Sequence, residues 1–154
     1  MFTKEEQKEI AVELGKYPVK SAAGLEVLKI VQKYRGWISD ESLSEVAQLV
    51  EMTDDELDSV ASSYNHIFRK PVGRHIIFIC DGMACWIKGY ENIIEHFRNR
   101  LGITPGQTTT DGRFTLLPSS CLGVCEKAPV MIVDDDLYVE LDSAKVDEIL
   151  NKYR

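Results

Sequence analysis

Two periods of hydrophobic positions divide this chain, and they change over at RKPVGR, residues 69–74. Before that stretch apolar residues recur three and four apart, the spacing that places them on one face of a helix. Thr3 and Glu6 form a capping-box pattern ahead of a helix through about Leu14, with Ile10, Val12 and Leu14 as its apolar surface; Lys16-Tyr17-Pro18 ends it. Ser21 is placed to cap a second helix through Tyr34, carrying Leu25, Leu28, Ile30 and Val31, with Gly36 where a C-terminal glycine belongs. A third helix begins near Ser39 or Asp40 and shows Leu43, Val46, Ala47 and Val50 as one stripe. Thr53 and Glu56 repeat the capping box for a fourth, reaching about Phe68. These stripes predict helices packed on one another, and the carboxylates from Asp54 to Asp58 suit the positive end of a helix dipole.

Pro71 and Gly73 break the helical pattern, and HIIFIC that follows is a short run of β-branched and aromatic residues that reads as a buried strand ending at Cys80. Ile87, Tyr90, Ile93, Ile94, Phe97 and Leu101 then return to helical spacing, up to Gly102. Gly106 to Thr110, the turn dipeptide Asp111-Gly112 and RFTLLP predict an extended segment turning into a second apolar strand, which delivers Cys121. MIV and LYVEL flank Asp134-Asp135-Asp136 as a hairpin; these carboxylates lack the alternating ligands and distant glutamate of a calcium loop. A last helix from Asp142 or Ser143 carries Val146, Ile149 and Leu150. The expectation is an α/β protein with two domains: a helical bundle over 1–70, then a small α/β sandwich of thioredoxin-like type over 71–154, with strand ends presenting the cysteine loops.

All four cysteines lie in the second part, as two close pairs: Cys80 and Cys85 in CDGMAC, Cys121 and Cys125 in CLGVC. Two loops that each carry two thiols, and none in the first 79 residues, describe a soft metal site. A 2Fe-2S cluster takes four thiolates, two on each iron; a structural zinc also takes four, though its pairs are commonly closer in sequence. Gly82 and Gly123 sit inside the loops, where a residue without Cβ lets amides turn toward anionic sulfur, which favours the cluster. Two disulfides and four unrelated thiols are the bland alternatives.

Composition narrows the partners. A net charge of −7 argues against nucleic acid, which needs a basic face. No apolar run approaches the roughly 20 residues of a membrane span, and the acidic opening MFTKEEQKEI is unlike a secretory signal. A reducing, cytoplasmic compartment without membrane insertion is therefore expected, and it weakens the disulfide reading. Surplus negative charge also disfavours adding an electron to a cluster, so a low reduction potential is expected. His66, His75 and His96 have no spacing that gathers them. Met83 and Trp86 flank Cys85, either as a cover for the site or as a docking surface.

HIIFICDGMAC, GYENIIEHF and LGITPGQTTTDGRFTLLPSSCLGVCEKAPVMIVDDDLY together resemble the thioredoxin-like 2Fe-2S subunits of bacterial NADH:quinone oxidoreductases (respiratory complex I). KIVQKYRGWIS and SVASSYNHIFRKPVGRH resemble the helical extension of that family. The resemblance implies that Cys80, Cys85, Cys121 and Cys125 are the ligands of one 2Fe-2S cluster. It further implies docking on a flavin-bearing, NADH-oxidising subunit, which holds FMN and NADH, among other peripheral-arm subunits at the cytoplasmic face of the inner membrane. The sequence itself has neither a GxGxxG nor a lysine-bearing phosphate loop, so the electron is passed and the nicotinamide chemistry belongs to the partner. Three other expectations stand beside this one: an equivalent subunit of an NAD-reducing hydrogenase or NAD-linked formate dehydrogenase, a zinc-stabilised binding module, and a free ferredoxin-like carrier.

Overall fold

The computed structural model describes residues 1–153. Its contacts gather into two compact units, Met1–Pro71 and a second from Val72 onward. The first holds helices α1 (Lys4–Leu14), α2 (Gly24–Arg35), α3 (Asp40–Val50) and α4 (Asp54–Ser63). Both capping boxes form: Thr3 accepts from the Glu6 amide and Thr53 from that of Glu56, each glutamate returning the bond to the threonine amide. Helix α2 is the centre of this unit, burying Val27, Leu28 and Val31 against Ile10 of α1, Val46, Ala47 and Val50 of α3, and Leu57 of α4. Val12 points outward at 62% exposure, so α1 contributes a narrower stripe than its sequence implies.

Two helix limits differ from expectation. Ser21 caps nothing; it lies in a 3-10 turn, Lys20–Ala23, and α2 starts at Gly24 with no side-chain cap. Gly24 is there for closeness: a Cβ would stand 3.2 Å from Leu57 Cδ1 and 3.3 Å from Met52 Sδ. Helix α4 stops at Ser63 rather than Phe68. Gln32, from α2, captures the segment beyond it, accepting from the Phe68 amide at 2.6 Å and donating to the His66 carbonyl at 2.7 Å. The hydroxyls of Ser62 and Ser63 also turn back onto the Ser59 carbonyl, the competition that makes serine a poor helix-interior residue.

Glu6 is the one charged side chain in the described core of this unit, 1% exposed. It accepts from Arg35 Nε at 2.9 Å and from the Thr3 amide at 2.7 Å, and Arg35 reaches on to Ser42 and Glu45. Burial acts to raise the carboxyl's pKa, but the hydrogen bonds from Arg35 and Thr3 outweigh it and hold the group below its ordinary value.

The second unit is a five-stranded mixed sheet, ordered β2 (Gln107–Thr108), β3 (Phe114–Ser119), β1 (His75–Cys80), β4 (Met131–Val133), β5 (Asp136–Tyr138). β1 and β3 run parallel, which requires the crossover connection that the helices between them supply; every other pair is antiparallel. The predicted helix after Cys85 is two: α5 (Met83–Ile87) and α6 (Tyr90–Leu101), broken at Gly89, whose φ of 111° suits glycine. Alternation along β1 sends Ile77 and Ile79 into a core shared with Ile93 and Phe97 of α6 and with Val146, Ile149 and Leu150 of α7 (Ser143–Lys152). Cys80 falls on the opposite face, in a separate cluster with Cys85, Ala128 and Val130. Asp134 does more than turn the hairpin: it accepts from the Ile76 amide and pairs with His75 Nδ1 at 2.7 Å.

Candidate metal centre

β1, as the middle strand, pairs with β3 along its length and with β4 over Ile77–Ile79, and its last residue is Cys80. The Cys80 amide donates to the Val130 carbonyl at 3.1 Å, and the following amide, Asp81, donates to Ser119, where β3 ends. The chain then turns at Gly82 into α5, so Cys85 sits in a one-turn helix rather than in a loop. Five residues are too few for helical periodicity to be visible in sequence. Cys121 and Cys125 come from the segment after β3, with Gly123 between them in the left-handed region at φ 81°. Cys125 begins a short 3-10 turn, Cys125–Lys127.

The four sulfurs are thereby gathered around one cavity of about 460 Å³, lined by Cys80, Gly82, Met83, Ala84, Cys85, Ile87, Cys121 and Cys125. Its two halves differ. Cys80 and Cys85 are 2% and 1% exposed, whereas Cys121 and Cys125 face solvent with their Sγ atoms 3.3 Å apart. Gly82 stands where the halves meet: a Cβ there would lie 3.4 Å from Cys80 Sγ and 3.6 Å from both Cα and Cβ of Cys121. These are ordinary van der Waals distances. Among the described residues no three His, Cys, Asp or Glu side chains close around a single ion.

Their acidities follow from these positions. Burial pushes Cys85 up to about 11, with the neighbouring Cys80 adding to the effect and a backbone hydrogen bond from Val130 opposing it. The Gly123 amide, donating at 3.4 Å, holds Cys121 below its ordinary value, while Cys125 is raised by the sulfur beside it. Four soft donors lining one cavity, with the Gly123 amide directed at Cys121, fit a thiolate-bound cluster, whose binding releases the thiol protons. Neither the amide of Val130 nor the apolar wall from Ile87 is visible in the spacing of the cysteines. Gly82 and Gly123 are the only signal there for backbone around the sulfurs.

The sequence model of the family Thioredoxin-like [2Fe-2S] ferredoxin matches residues 10–154. The chain belongs to this family. Among curated relatives, a subunit of the NADH-quinone oxidoreductase of Pseudomonas aeruginosa is 42% identical over 153 residues, 99% of this chain and 92% of the relative. Its counterpart in the NADH-quinone oxidoreductase of Escherichia coli K12 is 44% identical over 149 residues, 97% and 90% of the two chains. Among solved structures, an NAD+-reducing [NiFe]-hydrogenase in the air-oxidised state superposes with a TM-score of 0.71 at 25% identity, over 85% of this chain. This chain spans only 22% of the hydrogenase chain it matches. The thioredoxin-like ferredoxin fold expected from sequence is thus the fold of the family.

The remaining sequence candidates fall elsewhere. His75 is at the opposite end of β1 from Cys80, paired with Asp134. His96 of α6 pairs with Asp147 at 3.0 Å, which Arg100 also reaches, and the His66 carbonyl belongs to the Gln32 contact. Met83 lines the cavity and is 80% exposed. Trp86 does not line it; at 55% exposure its ring stacks on Tyr90, centroids 5.9 Å apart. The apolar collar of the cavity is therefore Met83 and Ile87, the latter 77% exposed.

Proposed function

We propose that this chain is the iron-sulfur electron-transfer subunit of an NADH:quinone oxidoreductase, with Cys80, Cys85, Cys121 and Cys125 as the ligands of one 2Fe-2S cluster. The observation that carries the reading is the convergence of all four thiols on one cavity in a chain of this family. When bound, such a cluster supplies a one-electron centre that changes charge without a general base. The protein's own part is structural: β1 and α5 fix two sulfurs in apolar surroundings, the Cys121–Cys125 segment brings two more from the solvent side, and Met83 and Ile87 narrow the opening. The helical unit, 1–70, and the ferredoxin unit, 71–154, are two domains on this reading.

The names of the curated relatives support the quinone-linked complex. The partner is then a flavin-bearing, NADH-oxidising subunit that holds FMN and NADH, and the site of work is the cytoplasmic face of the inner membrane. No described helix is long and apolar enough to cross a membrane, so attachment there is through other subunits. The similarity to the NAD+-reducing hydrogenase favours, as a second reading, the equivalent position in that complex. Affinity purification of the tagged chain from its own cells, with identification of the co-purifying subunits, separates the two. A flavin-bearing NADH-oxidising subunit with quinone-reductase companions is expected, and companions from a hydrogenase would overturn the first reading.

A further inference from the structure

The two cysteine pairs differ in a way that ligand duty alone does not require. Cys80 and Cys85 are buried and held by regular structure: Cys80 by ladder bonds of β1, Cys85 inside α5, where the Trp86 amide bonds the Gly82 carbonyl. Cys121 and Cys125 are exposed, lie in a segment without regular structure up to Cys125, and have their sulfurs 3.3 Å apart. Thiol–disulfide exchange needs a sulfur that an oxidant can reach and a second sulfur close enough to complete the exchange. Only the outer pair meets the first condition. A disulfide bond is about 2.05 Å long, so the outer sulfurs, 3.3 Å apart, have roughly 1 Å left to close.

We propose that, before its metal centre is loaded, the chain carries a reversible redox modification site at Cys121 and Cys125, and that the disulfide formed there blocks loading. The blocking rests on the ligand assignment above; the disulfide itself does not. The oxidant is a low-molecular-weight disulfide. One protein thiolate attacks it, its S–S bond breaks and one small thiolate leaves. The second protein sulfur then displaces the other small thiolate as the Cys121–Cys125 bond forms. Two protein thiols are oxidised, one small disulfide is reduced to two thiols, and the two protons pass to the released thiolates. A dithiol reductant reverses the exchange.

Trypsin separates the two pairs, because Arg74, Lys88, Arg113 and Lys127 bound the peptides 75–88 and 114–127. The full chain, freed of iron by a chelator without oxygen, is treated with glutathione disulfide, quenched in acid, denatured, alkylated and mapped by mass spectrometry. Peptide 114–127 is expected without alkyl groups and lighter than its reduced form by two hydrogens, while 75–88 carries two alkyl groups. Cys121→Ser is expected to stop at a glutathione adduct on Cys125. Oxidation shared equally with 75–88, crossed peptides, full alkylation of both, or a stable adduct on the wild-type outer pair would each overturn the site. Iron and sulfide are then offered to the oxidised chain with and without a dithiol. Loading only after reduction is expected. Equal loading of the still-oxidised chain would leave the disulfide standing and overturn the ligand assignment.

Discussion

Cys121→Ala and Cys125→Ala are each expected to purify with iron reduced from about two atoms per chain to almost none, with loss of visible absorption. Their far-ultraviolet circular dichroism should match the wild type. Both side chains are exposed and absent from every hydrophobic cluster, so removing a sulfur there opens no core cavity. Cys80→Ala and Cys85→Ala should lose the iron equally but also unfold more readily. They delete buried atoms beside Ala128 and Val130, which costs on the order of 1 kcal/mol. The four substitutions thus share a metal phenotype and divide in stability, and the division follows burial. Undiminished iron in both outer-pair variants would remove them from the ligand set.

The second large effect lies in the helical unit. Glu6→Ala is expected to lower its unfolding free energy by about 2–3 kcal/mol at neutral pH, read from denaturant titration. The change deletes the acceptor for Arg35 Nε and the Thr3 amide together and leaves the guanidinium, 27% exposed, with Glu45, Ser42 and the Phe2 ring. The direction with pH follows from the depressed carboxyl. Its contribution is present above the ordinary value of 4.5 and is lost as the pH falls through the lower native value. Wild type and Glu6→Gln should therefore converge on acidification below 4.5. A gap that widened there would contradict the role given to the ionised glutamate.

The parts of this fold that were legible in sequence are those fixed by near neighbours. The capping boxes at Thr3 and Thr53 close within three residues, and the apolar run HIIFIC carries enough β-branched bulk to declare β1 by itself. What escaped depends on distant partners. The end of α4 is decided by Gln32, the start of α2 by the approach of Leu57 and Met52 to Gly24, and the role of Asp134 by His75 and Ile76 across the sheet.

The site divides the same way. The two cysteine pairs were legible because they are a pattern in spacing. The unequal burial of the pairs was not, because it arises where Ala128 and Val130, distant in sequence, pack with Cys80 and Cys85 while only Leu122 and Val124 of the outer loop, and not its cysteines, join them. Trp86 drew attention by following Cys85, yet a helical position one residue on faces another way, and its ring stacks on Tyr90 instead.

The most direct test of the cluster assignment is low-temperature EPR of the anaerobically purified full chain before and after dithionite, with iron, acid-labile sulfide and zinc measured on the same sample. About two irons and two sulfides per chain, a silent oxidised form and a spin-one-half signal on reduction are expected of a 2Fe-2S centre. A colourless chain holding a single zinc, silent before and after reduction, would contradict it.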